Sequence, residues 1–151
     1  HPNLTEQTQD EVIRQVEEDR KNLEKLVGYP ICGMAYPCGG GNNNDTVAQI
    51  LKEHTQIHYS RTITSTHTFD LQDNLLRFNP TVYHMEEEEM FRLAEEFIAL
   101  QTDEPKIFYI WGHTYEFDIA NTWDRFEQLC KLISNREDIF YGTNREILLA
   151  K

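Results

Sequence analysis

Cysteine is scarce in this 151-residue chain, with only Cys32, Cys38 and Cys130. Three cysteines make neither a dense disulfide framework nor a cysteine-rich zinc cage. Reduced thiols are the expectation, with one Cys32–Cys38 bridge left open. Cations are short as well: 14 Lys and Arg stand against 26 Asp and Glu, a formal net charge of −12. That balance argues against nucleic acid and against an anionic membrane surface, because phosphate binding needs clustered positive charge. A neutral or cationic ligand, or a metal ion, suits such a field better. No apolar run approaches the roughly 18 residues needed to span a bilayer. Repeats, linkers and low-complexity tracts are missing too. No signal-peptide pattern is visible, and the chain begins His1-Pro2 rather than with Met, so its natural start is expected upstream and its compartment stays open. The length fits one domain over residues 1–151, and 39% hydrophobic residues are too many for a disordered chain.

What is present is an alternation of helical patterns with short apolar runs. Thr8-Gln9-Asp10-Glu11 has the spacing of a capping box, in which hydroxyl and carboxylate each satisfy an orphan backbone N–H. Val12, Val16, Leu23, Leu26 and Val27 follow at helical spacing, and Gly28 and Pro30 stop the helix. Residues 31–36 read as a buried strand. It runs into a loop over 37–44 rich in Gly and Asn, which tolerate positive φ. Asp45 is placed to cap a helix to about residue 54. The pattern then predicts strands over 57–63 and 106–111, and short ones near 75–78 and over 139–141. It predicts helices opening at 86–89, over 119–134 and over 144–150. The four carboxylates Glu86–Glu89 invite a metal reading, but acids at a helix N-terminus complement the macrodipole and consecutive helical side chains diverge. Repeated strand–helix units imply mainly parallel strands, in a sheet or barrel covered by helices. Chemistry then belongs in the loops after Tyr36, Arg61 and Trp111, at the C-terminal strand ends.

His113 follows a strand directly and precedes Thr114-Tyr115-Glu116. That position suits a general acid or base, or a structural histidine holding a loop. The Tyr36-Pro37-Cys38-Gly39 turn is placed to aim backbone N–H groups at a developing oxyanion, or is an ordinary strand-to-helix loop. Cys38 acting as a nucleophile needs a nearby histidine to form its thiolate. His54 and His58 are four residues apart, but one is read at a helix end and the other on a strand, so they do not share the helix face of a metal motif, and His1, His67 and His84 have no such spacing. Arg61 and His84 fall near strand or loop ends expected to face one mouth, with a structural role for His84 as the alternative. Trp111 and Tyr115 offer rings that stack on a sugar, although Trp111 equally suits a core.

Five segments follow one another in a particular order. They are His1-Pro2-Asn3-Leu4, Met34-Ala35-Tyr36-Pro37-Cys38-Gly39, Tyr59-Ser60-Arg61-Thr62, Asn79-Pro80-Thr81-Val82-Tyr83-His84 and Ile110-Trp111-Gly112-His113-Thr114-Tyr115-Glu116-Phe117. Together, and nearly end to end, they resemble the polysaccharide deacetylases, the NodB-homology carbohydrate esterases. The second resembles that family's Arg-x-Pro-Tyr-Gly segment in its Tyr-Pro-x-Gly branch. The last resembles its late Leu-x-x-His segment in the form Trp-Gly-His-x-Tyr-Glu. The first resembles the end of its His-(Ser/Thr)-x-x-His-Pro-x-Leu metal segment.

The resemblance implies an α/β fold, a partial or distorted (β/α) barrel with mainly parallel strands, that hydrolyses N- or O-acetyl groups on sugars or polysaccharides. It also implies a divalent metal, usually zinc, on one Asp and two His, with a second Asp as base. Carried over, His1 is the second metal histidine and His113 the general acid that protonates the departing amine. The Cys38 backbone N–H belongs to the oxyanion hole, and Tyr36, Arg61, His84, Trp111 and Tyr115 contact substrate. A metal polarises the carbonyl and lowers the pKa of bound water. The departures are equally specific. The Thr-Phe-Asp-Asp-Gly segment has no counterpart, Asp118 and the Asp70/Asp73 pair stand elsewhere, and the first metal histidine is absent. Ala35 replaces an Arg, for which Arg61 is a substitute cation, and Cys38 replaces a Tyr. The chain is therefore expected to be the C-terminal portion of such a domain, its first strands missing and its metal site incomplete. Turnover is then impaired, and uncovered sheet edges favour self-association. Two other readings are a non-catalytic carbohydrate-binding relative and a hydrolase built on Cys38 and His113.

Overall fold

The computed structural model describes residues 2–38 and 40–150, so the metal role read for His1 lies outside the described residues. Two compact units interleave along the chain. The first takes in the described residues up to Thr62, Gln72–Asn79 and those from Gly142 onward; the second comprises Ile63–Leu71 and Pro80–Tyr141.

In the first unit, α1 (Gln9–Val27) starts where the Thr8 hydroxyl accepts the Glu11 N–H and stops at Gly28 in the left-handed region, φ 77°. Arg20 is clasped by Glu17 at 2.8 Å and Glu24 on this helix. Val12 and Val16 turn inward and join Leu4, Tyr36, Val47, Ile50, Leu51 and Ile57 in an aliphatic core. Leu26 is left exposed. Strands β1 (Gly33–Ala35) and β2 (Tyr59–Arg61) pair in parallel, Met34 opposite Ser60. At Gly33 a Cβ would overlap the Tyr59 ring, so glycine gives that ring its place. Helix α2 (Asp45–His54) is capped by Asn44, which accepts the Val47 N–H at 2.8 Å, and not by Asp45. The acceptor must sit one residue before the helix, and Asp45 instead pairs with Arg77 at 2.8 Å. Residues Leu75–Arg77 form a 3-10 helix rather than the strand expected there. Only Phe78 pairs, with Arg61, in an isolated parallel bridge. A short helix α6 (Asn144–Leu148), capped by Thr143, belongs to the same unit.

The second unit holds β3 (Val82–Tyr83) and β4 (Ile110–Trp111), again parallel, with Tyr83 opposite Trp111. Strand β4 is shorter than expected, and Ile107 donates to the Phe69 carbonyl instead of a ladder. Helix α3 (Glu87–Ala99) carries Glu87, Glu88 and Glu89 in its first turn, where they face the positive end of the dipole. The single helix expected over 119–134 is two, α4 (Thr114–Ala120) and α5 (Trp123–Ile133). They break at Asn121, whose left-handed φ of 53° an asparagine tolerates. The core joins Val82, Met90, Leu93, Ala94 and Leu129 to partly buried aromatics. The strand expected over 139–141 does not form: Tyr141 donates its hydroxyl to the Ile133 carbonyl at 2.6 Å, and Phe140 is exposed. All three cysteines are free, so the Cys32–Cys38 bridge does not form. Among the described residues no helix is long and apolar enough to cross a membrane.

Candidate functional site

The parallel register of the second unit sets Tyr83 beside Trp111, with their rings stacked at 4.5 Å. One residue further, the His84 N–H donates to the Trp111 carbonyl at 2.9 Å. The His84 imidazole lies against Gly112, where any Cβ would overlap it. Phe117 covers the ring at 4.3 Å, leaving the His84 side chain 3% exposed. Immediately after β4, His113 is the residue from which α4 starts.

Glu116, in the first turn of α4, reaches back to all of these groups. Its Oε2 accepts the His113 backbone N–H at 3.0 Å and meets His113 Nδ1 at 3.1 Å and His84 Nε2 at 2.7 Å. Its Oε1 accepts the Tyr83 hydroxyl. An ionised carboxylate only accepts, so both imidazole nitrogens that face it carry their protons. Burial by itself would raise the Glu116 carboxyl. The hydrogen bonds from Tyr83, His84 and His113 outweigh burial and hold it at about 2. Burial, and then the carboxylate it faces, push the Tyr83 hydroxyl up to about 12.

His113 is the accessible member of this group, its side chain 49% exposed. Tyr115 stacks on its ring at 5.3 Å, and Trp111 meets it edge-on at 6.0 Å. Among the described residues its Nε2 has no hydrogen-bond partner. An imidazole tied at one nitrogen to a carboxylate and open at the other is the arrangement that moves a proton at a defined atom.

The remaining sequence-predicted residues belong to the first unit. Tyr36 is 3% exposed, sits in the aliphatic core and donates its hydroxyl to the Leu76 carbonyl at 2.7 Å. Its backbone N–H donates to the Arg61 carbonyl at 3.0 Å, which makes these two neighbours. Arg61 Nη1 donates to the Thr62 carbonyl at 2.7 Å. Cys38 is an exposed free thiol held at φ 58°, a costly conformation for a residue with a Cβ. The structure thus gathers His84, Trp111, His113 and Tyr115 in one unit, and Tyr36, Cys38 and Arg61 in the other.

Sequence reasoning did not single out Glu116, Tyr83 or Gly112 as site residues. The spacing of Glu116, three residues after the residue preceding a helix, was the available signal, since a Glu there bonds back to that residue's N–H. Among the described residues no three His, Cys, Asp or Glu side chains converge as a metal set. The described residues therefore do not make up the zinc site that the resemblance implies. Compared with family models, curated proteins and solved structures, the chain has no match.

Proposed function

We propose that the second unit carries the proton-handling part of a hydrolase that removes acetyl groups from N- or O-acetylated sugars or polysaccharides. One observation carries the reading: His113 is tied through Nδ1 to Glu116, open at Nε2, and flanked by the rings of Trp111 and Tyr115. An amide resists hydrolysis because its nitrogen leaves only once protonated. His113 Nε2 takes a proton from the attacking water and returns it to that nitrogen, or to the departing oxygen of an ester, as the bond to the acetyl carbon breaks. Its Nδ1–H stays on Glu116 throughout. Water supplies the hydroxyl, and acetate and the free sugar amine or alcohol depart. The apolar face of a pyranose stacks on the exposed aromatic edge beside the imidazole. The same reading takes the two parallel strand pairs as parts of a distorted (β/α) barrel and expects slow turnover and self-association, the latter read by light scattering.

The test is acetate release from N-acetylglucosamine oligomers by the chain and by His113→Asn. The proposal expects a fall of about a hundredfold or more, with oligomer binding retained in tryptophan fluorescence. Release unchanged by His113→Asn contradicts it. Oligomers bound without any release identify a carbohydrate-binding protein, and release abolished by Cys38→Ser identifies a cysteine hydrolase.

A further inference from the structure

We infer that His84 is a positioning residue: by sharing the Oε2 atom of Glu116 with His113, it fixes the orientation and tautomer of the imidazole that handles protons. The inference rests on the reading of His113 as the acid–base group. The sequence pattern offered His84 as a structural histidine or, at the mouth of a site, as a substrate contact. The structure closes it in beneath Phe117, with Tyr83 edge-on at 5.1 Å and Gly112 against its ring, and leaves its side chain 3% exposed. It acts on a sugar only through what it holds.

What it holds is the carboxylate. The terminal torsion of a glutamate is broad, so a carboxylate anchored at one oxygen swings easily. Here Tyr83 takes Oε1 and His84 takes Oε2 at 2.7 Å, which sets the plane of the group. His113 Nδ1 then meets Oε2 at 3.1 Å in one orientation. The tautomer of His84 is fixed by the same surroundings. Its Nδ1 is buried and, among the described residues, has no hydrogen-bond partner. With the proton on Nδ1, the bare Nε2 would accept the His113 N–H at 3.3 Å, a bond that this N–H already makes at 3.0 Å to Glu116, while a buried donor would lack an acceptor and Nε2 would face a carboxylate lone pair at 2.7 Å. With the proton on Nε2, only an acceptor goes unsatisfied, and the donation to Glu116 is built in.

Two variants test this. His84→Phe keeps a ring of similar shape and removes the donor, whereas His84→Gln returns an N–H donor near the position of Nε2. Two readouts are taken: acetate release from N-acetylglucosamine oligomers, and the His113 tautomer from long-range proton–nitrogen spectra. His84→Phe should lower kcat about tenfold with KM changed by less than about twofold. His113 should pass from a single Nδ1–H tautomer to a mixture, and His84→Gln should restore most of both. If His84→Phe fails to fold, His84→Gln decides: a retained Nδ1–H tautomer supports positioning and a mixture overturns it. A folded His84→Phe with parental tautomer and kcat also overturns it. Absence of acetate release from the parent defeats the deacetylase reading alone, since the tautomer readout still decides the role of His84.

Discussion

Each unit partly buries a carboxylate, and the two are served differently. In the first, Glu17 lies against Arg20, with 2.8 and 2.9 Å contacts, and accepts the Gln56 N–H at 3.1 Å. The hydrogen bond from Arg20 holds the Glu17 carboxyl below its ordinary range despite burial. A guanidinium keeps its charge at any pH a protein survives, so this pair is fixed architecture that ties α1 to the segment before β2. In the second, Glu116 faces a phenol and two imidazoles, and among the described residues no Lys or Arg is its partner. Imidazoles change charge near neutrality. The comparison teaches where proton chemistry can reside: a carboxylate locked to a permanent cation builds structure, and one shared among exchangeable donors directs a proton.

Breaking the first arrangement should cost most. Arg20→Met strips the guanidinium from Glu17 and Glu24, leaving Glu17 the more distant Lys21 at 3.7 Å, and a loss of about 3 kcal/mol is expected in urea unfolding. Gly112→Ala attacks the second by driving a methyl group into the space of the His84 ring; about 2 kcal/mol should be lost, with the His84 resonances displaced. Glu116→Gln removes charge and keeps shape, and should cost about 1–2 kcal/mol at pH 7. This variant also has a defined pH signature. The folded Glu116 carboxyl is depressed from 4.5 to about 2, so its stabilisation is complete above pH 4.5 and is lost as pH falls toward 2. The gap between parent and Glu116→Gln should therefore narrow from pH 5 to pH 2, and urea midpoints across that range check it. Cys38→Ser should change least, within about 0.5 kcal/mol, because the thiol is exposed and unbonded.

Much of the architecture was legible where local chemistry dictates it. Thr8 and Gly28 mark the ends of α1 because a hydroxyl before a helix and a glycine after it satisfy orphan backbone groups. The 139–141 run misled because β-rich residues make a strand only with a neighbour to pair, and here Tyr141 turns its hydroxyl back to α5. Asn121 interrupts a continuous apolar period by adopting a left-handed conformation that periodicity does not encode. In the site, His113 was readable from its place after a strand. Glu116 and Tyr83 were not singled out, since their meeting depends on the β3–β4 register that lays Tyr83 beside Trp111. His84 looked like a mouth residue because nothing in the linear pattern shows that Gly112 opens a slot for its ring.

The most direct measurement follows the His113 ring nitrogens by long-range proton–nitrogen spectroscopy while an N-acetylglucosamine oligomer is titrated in. The account predicts a proton on Nδ1 bonded to Glu116 throughout, with the Nε2 resonance moving as sugar saturates the protein. A ring bare at Nδ1 and protonated only at Nε2, or one whose Nε2 resonance does not move at saturating oligomer, would contradict it.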